Sequence, residues 1–205
     1  MRHSKPLFFC HFFYLKNMSV KEYIFSLRRF ILVAFLVFVF AIILGYFSAQ
    51  SSSEEAKIIL GELWETLEPI IEMPPFGQFL IVFLNNSFTI FLVIILGLIF
   101  GIFPFLVLFS NGLILGLVAY FTQAGGDWTT TLTLVLPHGI IEIPAVILAC
   151  AIGFKLGKVI LEKILKKEVS IKAELNTALN FLLRFLFPAL AVAAAIEVFL
   201  IGQLL

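Results

Sequence analysis

The chain has 205 residues, 61% of them hydrophobic and 13% charged, with a mean hydropathy of +1.11. Soluble domains carry roughly 25% charged residues, so this composition excludes an ordinary water-soluble domain and marks an integral membrane protein. A formal net charge of +1 offers no basic excess for nucleic acid, and Cys10 and Cys150 stand in unrelated segments with neither metal-ligand nor disulfide-framework spacing.

In chain order, residues 1–29 are expected to form a cytoplasmic N-terminal arm and residues 30–205 a single membrane domain. The arm opens with "MRHSKPLFFCHFFYLKN", whose aromatic run from Leu7 to Leu15 is too short to span a bilayer and is followed by no small-residue cleavage site. "MSVKEYIFSLRRFILV" then reads as an ordinary membrane-protein start, which leaves Met1 and Met18 as alternative first residues.

Apolar runs of about 20 residues, enough to cross a bilayer, fall at 30–48, 79–100, 103–121, 132–156 and 181–204. The expected fold class is all-α, an integral membrane bundle of five transmembrane helices. Only Gly101 and Ile102 separate the second run from the third, with Pro104 just beyond. One helix of that combined length would overrun the bilayer, so a tight hairpin is expected.

Basic loops stay on the cytoplasmic side. Every lysine and arginine except Lys57 lies either before the first run or around the loop between the fourth and fifth. The segment after the first run carries Glu54, Glu55, Glu62, Glu65, Glu68 and Glu72. The chain is therefore expected to be a multi-pass protein of the cell membrane, N-terminus inside and C-terminus outside.

Two segments between the runs are amphipathic. Over 55–71, Ile59, Leu63, Leu67 and Ile70 recur at helical spacing with glutamates opposite and Pro74-Pro75 as a stop, which predicts an outer amphipathic helix. It can serve as a lid on the bundle or as a docking surface. Residues 157–175 predict a basic cytoplasmic helix suited to the inner membrane surface or to contact with a cytoplasmic subunit.

Polar residues inside the spans are functional candidates, because a charge at a helix centre costs about 2.5–3.5 kcal/mol to insert. They are Asn85, Asn86 and Ser87 in the second run, Ser110 and Asn111 in the third, His138 and Glu142 in the fourth and Glu197 in the fifth. At about 1.5 Å per residue, Asn85, Asn86, Asn111, His138, Glu142 and Glu197 can share one polar packing layer.

His138 and Glu142 stand at i and i+4 on one face, continued by Ala145, Ala149, Gly153 and Gly157. This small-residue stripe lets another helix approach, so the pair is expected to face protein. Pro144 cannot bond back to the carbonyl of Ile140, which invites a kink and frees an acceptor near Glu142. Gly97 and Gly101, and likewise Gly112 and Gly116, stand at i and i+4 and read as close-packing sites within one chain or at a dimer seam.

The pair admits three readings. Glu142 can hydrogen-bond across helices to Asn85, Asn111 or His138 and fix the packing. His138, Glu142 and Glu197 can hold a divalent metal ion, completed by a second protomer. A proton or substrate path is the third. An enzyme is not expected: there is no H-E-x-x-H pair and no G-x-S-x-G turn, and His3 and His11 belong to the arm.

"FLNNSFTIFLVIILGLIFGIFP", "NGLILG", "LPHGIIEIPAVILACAIGFKLG" and "AAAIEVFL" resemble the stage II sporulation protein M family from about Met18 onward, with the P-H-G-x-x-E-x-P block the most specific part. The positions that match are Asn85, Asn86, Asn111, Gly112, Pro137, His138, Gly139, Glu142, Pro144 and Glu197. In endospore formers such a protein works with peptidoglycan-degrading partners during engulfment. The resemblance implies a polytopic scaffold that recruits other membrane or envelope proteins, and does not imply sporulation. A dimer in contact with membrane lipid is expected; the rival function is a transporter subunit with an intramembrane cation or proton site, working with a cytoplasmic ATPase.

Overall fold

A computed structural model describes residues 19–125 and 128–201, with side chains described except at 64, 67, 71, 124–140, 200 and 201. The described residues are helical throughout, apart from short turns. The helices are α1 Val20–Ser51, α2 Ser53–Ile71, α3 Pro75–Leu96, α4 Ile102–Gly125, α5 Trp128–Ile164, α6 Ile171–Phe181 and α7 Phe187–Ile196, with π-helical segments at Leu182–Leu186 and Glu197–Ile201. Five helical stretches are long and apolar enough to cross a membrane, and they correspond in order to the five apolar runs.

α1, α4 and α5 outrun the runs that announce them. α1 starts ten residues before Phe30, where Ser19 and Glu22 form a capping box: the Ser19 hydroxyl accepts from the Glu22 N–H, and the Glu22 carboxylate accepts from the Ser19 N–H at 2.8 Å. Hydropathy marks only what crosses hydrocarbon, while the hydrogen-bonded ladder continues until a cap closes it. Residues 20–29 are thus the first turns of α1 instead of an arm; residues 1–18 lie outside the described residues.

The same principle divides the basic segment 157–175. Residues up to Ile164 continue α5, and Lys166 then takes a left-handed φ of 59°. The Lys167 N–H donates to the Glu162 carbonyl at 2.9 Å and the Lys166 N–H to that of Lys163 at 3.1 Å, the paired bonds of a Schellman stop. Ser170 then caps α6, its hydroxyl accepting from the Ala173 N–H at 3.3 Å.

α1 and α4 run parallel and pack along most of their length. Glycine permits the approach: a Cβ at Gly112 would lie 2.6 Å from Ala41 Cβ and 2.8 Å from the Phe38 carbonyl oxygen, and one at Gly116 would collide with the Ile42 carbonyl. Gly45 of α1 completes this seam against the Leu113 backbone.

Between α3 and α4 the chain reverses over Gly97–Gly101, with φ of 51° at Phe100 and 74° at Gly101. The connection is tight, as expected, yet its legs diverge: α4 lies on α1, while α3 lies chiefly on α5. α5 crosses at this turn through the predicted stripe. Gly153 fits beneath Pro104, a Cβ there falling 2.8 Å from the Val93 carbonyl, and Gly157 fits against the Gly101 amide. Gly97 closes on the Gly153 backbone. The core thus joins Leu27 of α1, Ile90 and Ile94 of α3, Leu108 of α4, Ile152 and Leu156 of α5, and Leu182 and Leu190 of the last span, all fully buried.

α2 leans on the bundle through Ala56 and Leu60, which meet Ala49, Leu117, Tyr120 and Phe121. Ile59, expected on the apolar stripe, is 50% exposed. The contact stripe is therefore set by α1 and α4, which reach Ala56 and Leu60, instead of by the largest apolar residues. Pro69 lies inside the last turn of α2, and Pro75 opens α3 at its first position.

Candidate functional site

Four of the six residues assigned to the polar packing layer line one cavity. Asn85, Asn86, Asn111 and Glu142 surround a space of about 320 Å³ between α1, α3, α4 and α5, with Thr89 beside them. Its other walls are apolar, among them Phe38, Ile90 and Leu108. Helical spacing produces the grouping: Asn85 and Thr89 are four apart and Asn86 and Thr89 three apart, so α3 turns all three to one side. α5 supplies Glu142 from the same face as Ala145 and Ala149, which are also buried.

Burial differs sharply across the cavity. Glu142 is 4% exposed, whereas Asn85 and Asn111 are exposed, so the cavity reaches the surface of the bundle. Asn111 turns its amide back on its own helix, donating from Nδ2 to the Val107 carbonyl at 2.8 Å. Ser110 does the same, donating to the Leu106 carbonyl at 2.9 Å. Ser87 is buried and is not among the cavity residues.

Glu197 opens the second π segment, half-buried and outside the residues that line the cavity. Two residues on, Phe199 meets Phe79 with ring centroids 6.2 Å apart, toward the Pro75 end of α3 from Asn85. Pro188 accompanies the first π segment: it cannot donate to the Arg184 carbonyl, and the Phe187 N–H instead donates to Leu182, five residues back. The His138 side chain lies outside the described residues. Among the described residues, no group of three or more His, Cys, Asp and Glu side chains gathers as a metal site would require.

α5 continues through Pro144, whose ring lies on an exposed face, and carries a second polar constellation toward its other end. Lys155 forms an ion pair with Glu174 of α6, the side chains 14% and 3% exposed. Its ammonium also donates to Ser26 Oγ of α1 at 3.1 Å and stands 5.0 Å from the centroid of the Tyr23 ring. Tyr23 in turn packs on Phe181, centroids 5.2 Å apart. One lysine thus fastens α1, α5 and α6.

Sequence reasoning missed this bracket. Lys155 counts among the basic residues that orient the chain and Glu174 among those of an amphipathic segment. The available signal was position: Lys155 stands between Gly153 and Gly157, on the closely packed stretch of α5 where an unpaired charge would be strongly unfavourable. Thr89 was missed as well, although its spacing from Asn85 and Asn86 would have found it.

The two constellations have different chemistry. The bracket is closed, its lysine engaged on three sides by carboxylate, hydroxyl and ring. The cavity keeps space beside a buried carboxylate and three carboxamides, groups that can hydrogen-bond a polar guest or one another. Compared with protein-family models, residues 34–200 match Stage II sporulation protein M. Comparisons with curated proteins and with solved structures give no match. The match runs from the middle of α1 into the last π segment, taking in the cavity, the glycine crossing and the ion pair. With its five apolar helices, the chain is a multi-pass membrane protein that belongs to the stage II sporulation protein M family.

Proposed function

We propose that this chain is a noncatalytic membrane scaffold that recruits other membrane or envelope proteins. The observation that carries the proposal is the family match over residues 34–200, because the stage II sporulation protein M family is the one whose resemblance implies partner recruitment. In this reading the N-terminus is inside and the C-terminus outside, as the segregation of lysine and arginine supports. α2 then lies on the outer surface, where Glu54, Glu55, Glu62, Glu65 and Glu68 are all exposed and offer partners an acidic face. Phe76, Leu80, Leu84 and Phe88 form an exposed stripe along α3, at fourfold spacing, open to lipid or to a second copy of the chain.

Crosslinking in native membranes tests the scaffold. The expected product is a complex with envelope proteins that is lost when the α2 glutamates are replaced by glutamine; an unchanged set of partners would remove α2 from the reading.

One observation favours a second reading, a transporter subunit working with a cytoplasmic ATPase. The cavity of about 320 Å³ falls within the range of small-ligand sites, about 300–1,000 Å³, and Glu142 lines it. If Glu142→Gln abolishes ion or solute flux in reconstituted vesicles while the protein stays folded, the scaffold reading fails. A divalent metal at His138, Glu142 and Glu197 belongs to this second reading; purified wild-type protein without stoichiometric metal would eliminate it.

A further inference from the structure

We infer that the ion-pair end of the bundle carries a collar that seats in an anionic lipid leaflet. Three separate elements at this end expose a large apolar side chain next to a basic one. On α1, Phe25 is 63% exposed and the Arg28 guanidinium lies 4.1 Å from its ring centroid. At the stop of α5, Ile164 and Leu165 are 62% and 70% exposed, beside Lys163 and Lys166. In the first π segment, exposed Phe185 follows exposed Arg184.

The bracket ties α1, α5 and α6 to one another at this end. Lys155 joins α5 to Ser26 of α1 and to Glu174 of α6, and Phe181, the last residue before the π segment, packs on Tyr23. The apolar tip at Ile164 and Leu165 is itself built, its turn closed by the two Schellman hydrogen bonds.

Alternating basic and apolar side chains suit the boundary between headgroups and acyl chains, where Lys and Arg meet phosphate while Leu, Ile and Phe enter the hydrocarbon edge. Each basic side chain near an anionic leaflet adds a comparable increment of attraction. In the cell the collar would meet the cytoplasmic leaflet, which rests on the proposed inside position of the N-terminus.

The test uses the full chain in nanodiscs, with Cys10 and Cys150 replaced by serine and alanine and an environment-sensitive fluorophore on L165C, or on L161C as a second placement. The discs contain either phosphatidylcholine alone or phosphatidylcholine with phosphatidylglycerol. In anionic discs the emission is expected to shift to the blue and to be quenched by nitroxide-bearing lipids, more strongly than in neutral discs. Changing Lys163, Lys166 and Lys167 to glutamine should lower the equilibrium for membrane contact about fivefold per lysine. A label on F35C, midway along α1, should report the same burial in both lipids. A residue-165 label open to aqueous iodide in both discs overturns the collar and leaves the face to a soluble partner. Equal burial in neutral and anionic discs overturns its preference for charge. Both leaflets of a disc have one composition, so an error in the proposed orientation would not change the result; sidedness is measured separately with a membrane-impermeant thiol reagent on L165C in cells.

Discussion

α5 turns two ionisable side chains inward, Glu142 and Lys155, and the bundle treats them differently. Lys155 is paired, hydrogen-bonded and covered by a ring, and it fastens three helices. Glu142 is more deeply buried but borders open space among carboxamides. Packing is tight at one end, and room is kept beside the carboxylate at the other. The difference teaches that burial alone does not identify a functional charge: what separates the two is the space left beside it.

The sharpest way to break this comparison is to remove one member of the ion pair. Glu174→Ala strands Lys155 in a covered site and is expected to destabilise the fold by about 3–5 kcal/mol, read as a lower thermal midpoint in detergent or nanodiscs. A Lys155→Met, Glu174→Leu double variant should recover most of that loss, since it leaves no uncompensated charge. If the single variant melts like wild type, the bracket is not a structural fastening.

Next in size is the crossing between the two regions. Gly153→Val places methyl groups where Pro104 and the Val93 carbonyl already stand, and overpacking of this kind costs about 1–3 kcal/mol. Because part of the clash is with backbone, a helix must move, and crosslinking between cysteines on α3 and α5 should weaken along with the melting temperature.

A smaller effect is expected in the cavity. Thr89→Val keeps the volume and removes a hydroxyl beside space already present, so its change in stability should stay within about 0.5 kcal/mol, while partner crosslinking or solute flux changes if the cavity acts in either. A loss as large as that of Glu174→Ala would make the cavity a second lock and erase the contrast. Smallest is Tyr23→Phe: the buried Tyr23 hydroxyl has no hydrogen-bond partner among the described residues, so its removal should be neutral or slightly stabilising. Clear destabilisation in the same melting assay would show that the hydroxyl is engaged in the membrane.

Much of this was legible in the residues. The five apolar runs mark the five helices long and apolar enough to cross a membrane, since a bilayer demands a length and composition that little else in a chain imitates. The stripe of Ala145, Ala149, Gly153 and Gly157 foretold a close crossing, and the pairs Gly97/Gly101 and Gly112/Gly116 each lie against a neighbouring helix of the same chain. Asn85, Asn86, Asn111 and Glu142 could be placed near one depth by counting rises. Glu197 does not line the cavity that these four share. The inner segment was not legible because a lysine in αL conformation ends α5 where composition alone runs on.

The sequence by itself therefore determined class, number of crossings, family and the faces on which small and polar residues lie. These follow from the bilayer's demand for apolar length and from the fixed helical period, both of which are local. Tertiary structure alone decided that Lys155 would find Glu174 and Ser26, that α4 would leave α3 for α1, and that the face carrying Asn85, Asn86 and Thr89 would border a cavity that Glu197 does not line. Each of these depends on how helices distant in sequence rotate and approach, and rotation about a helix axis is settled only when two faces meet.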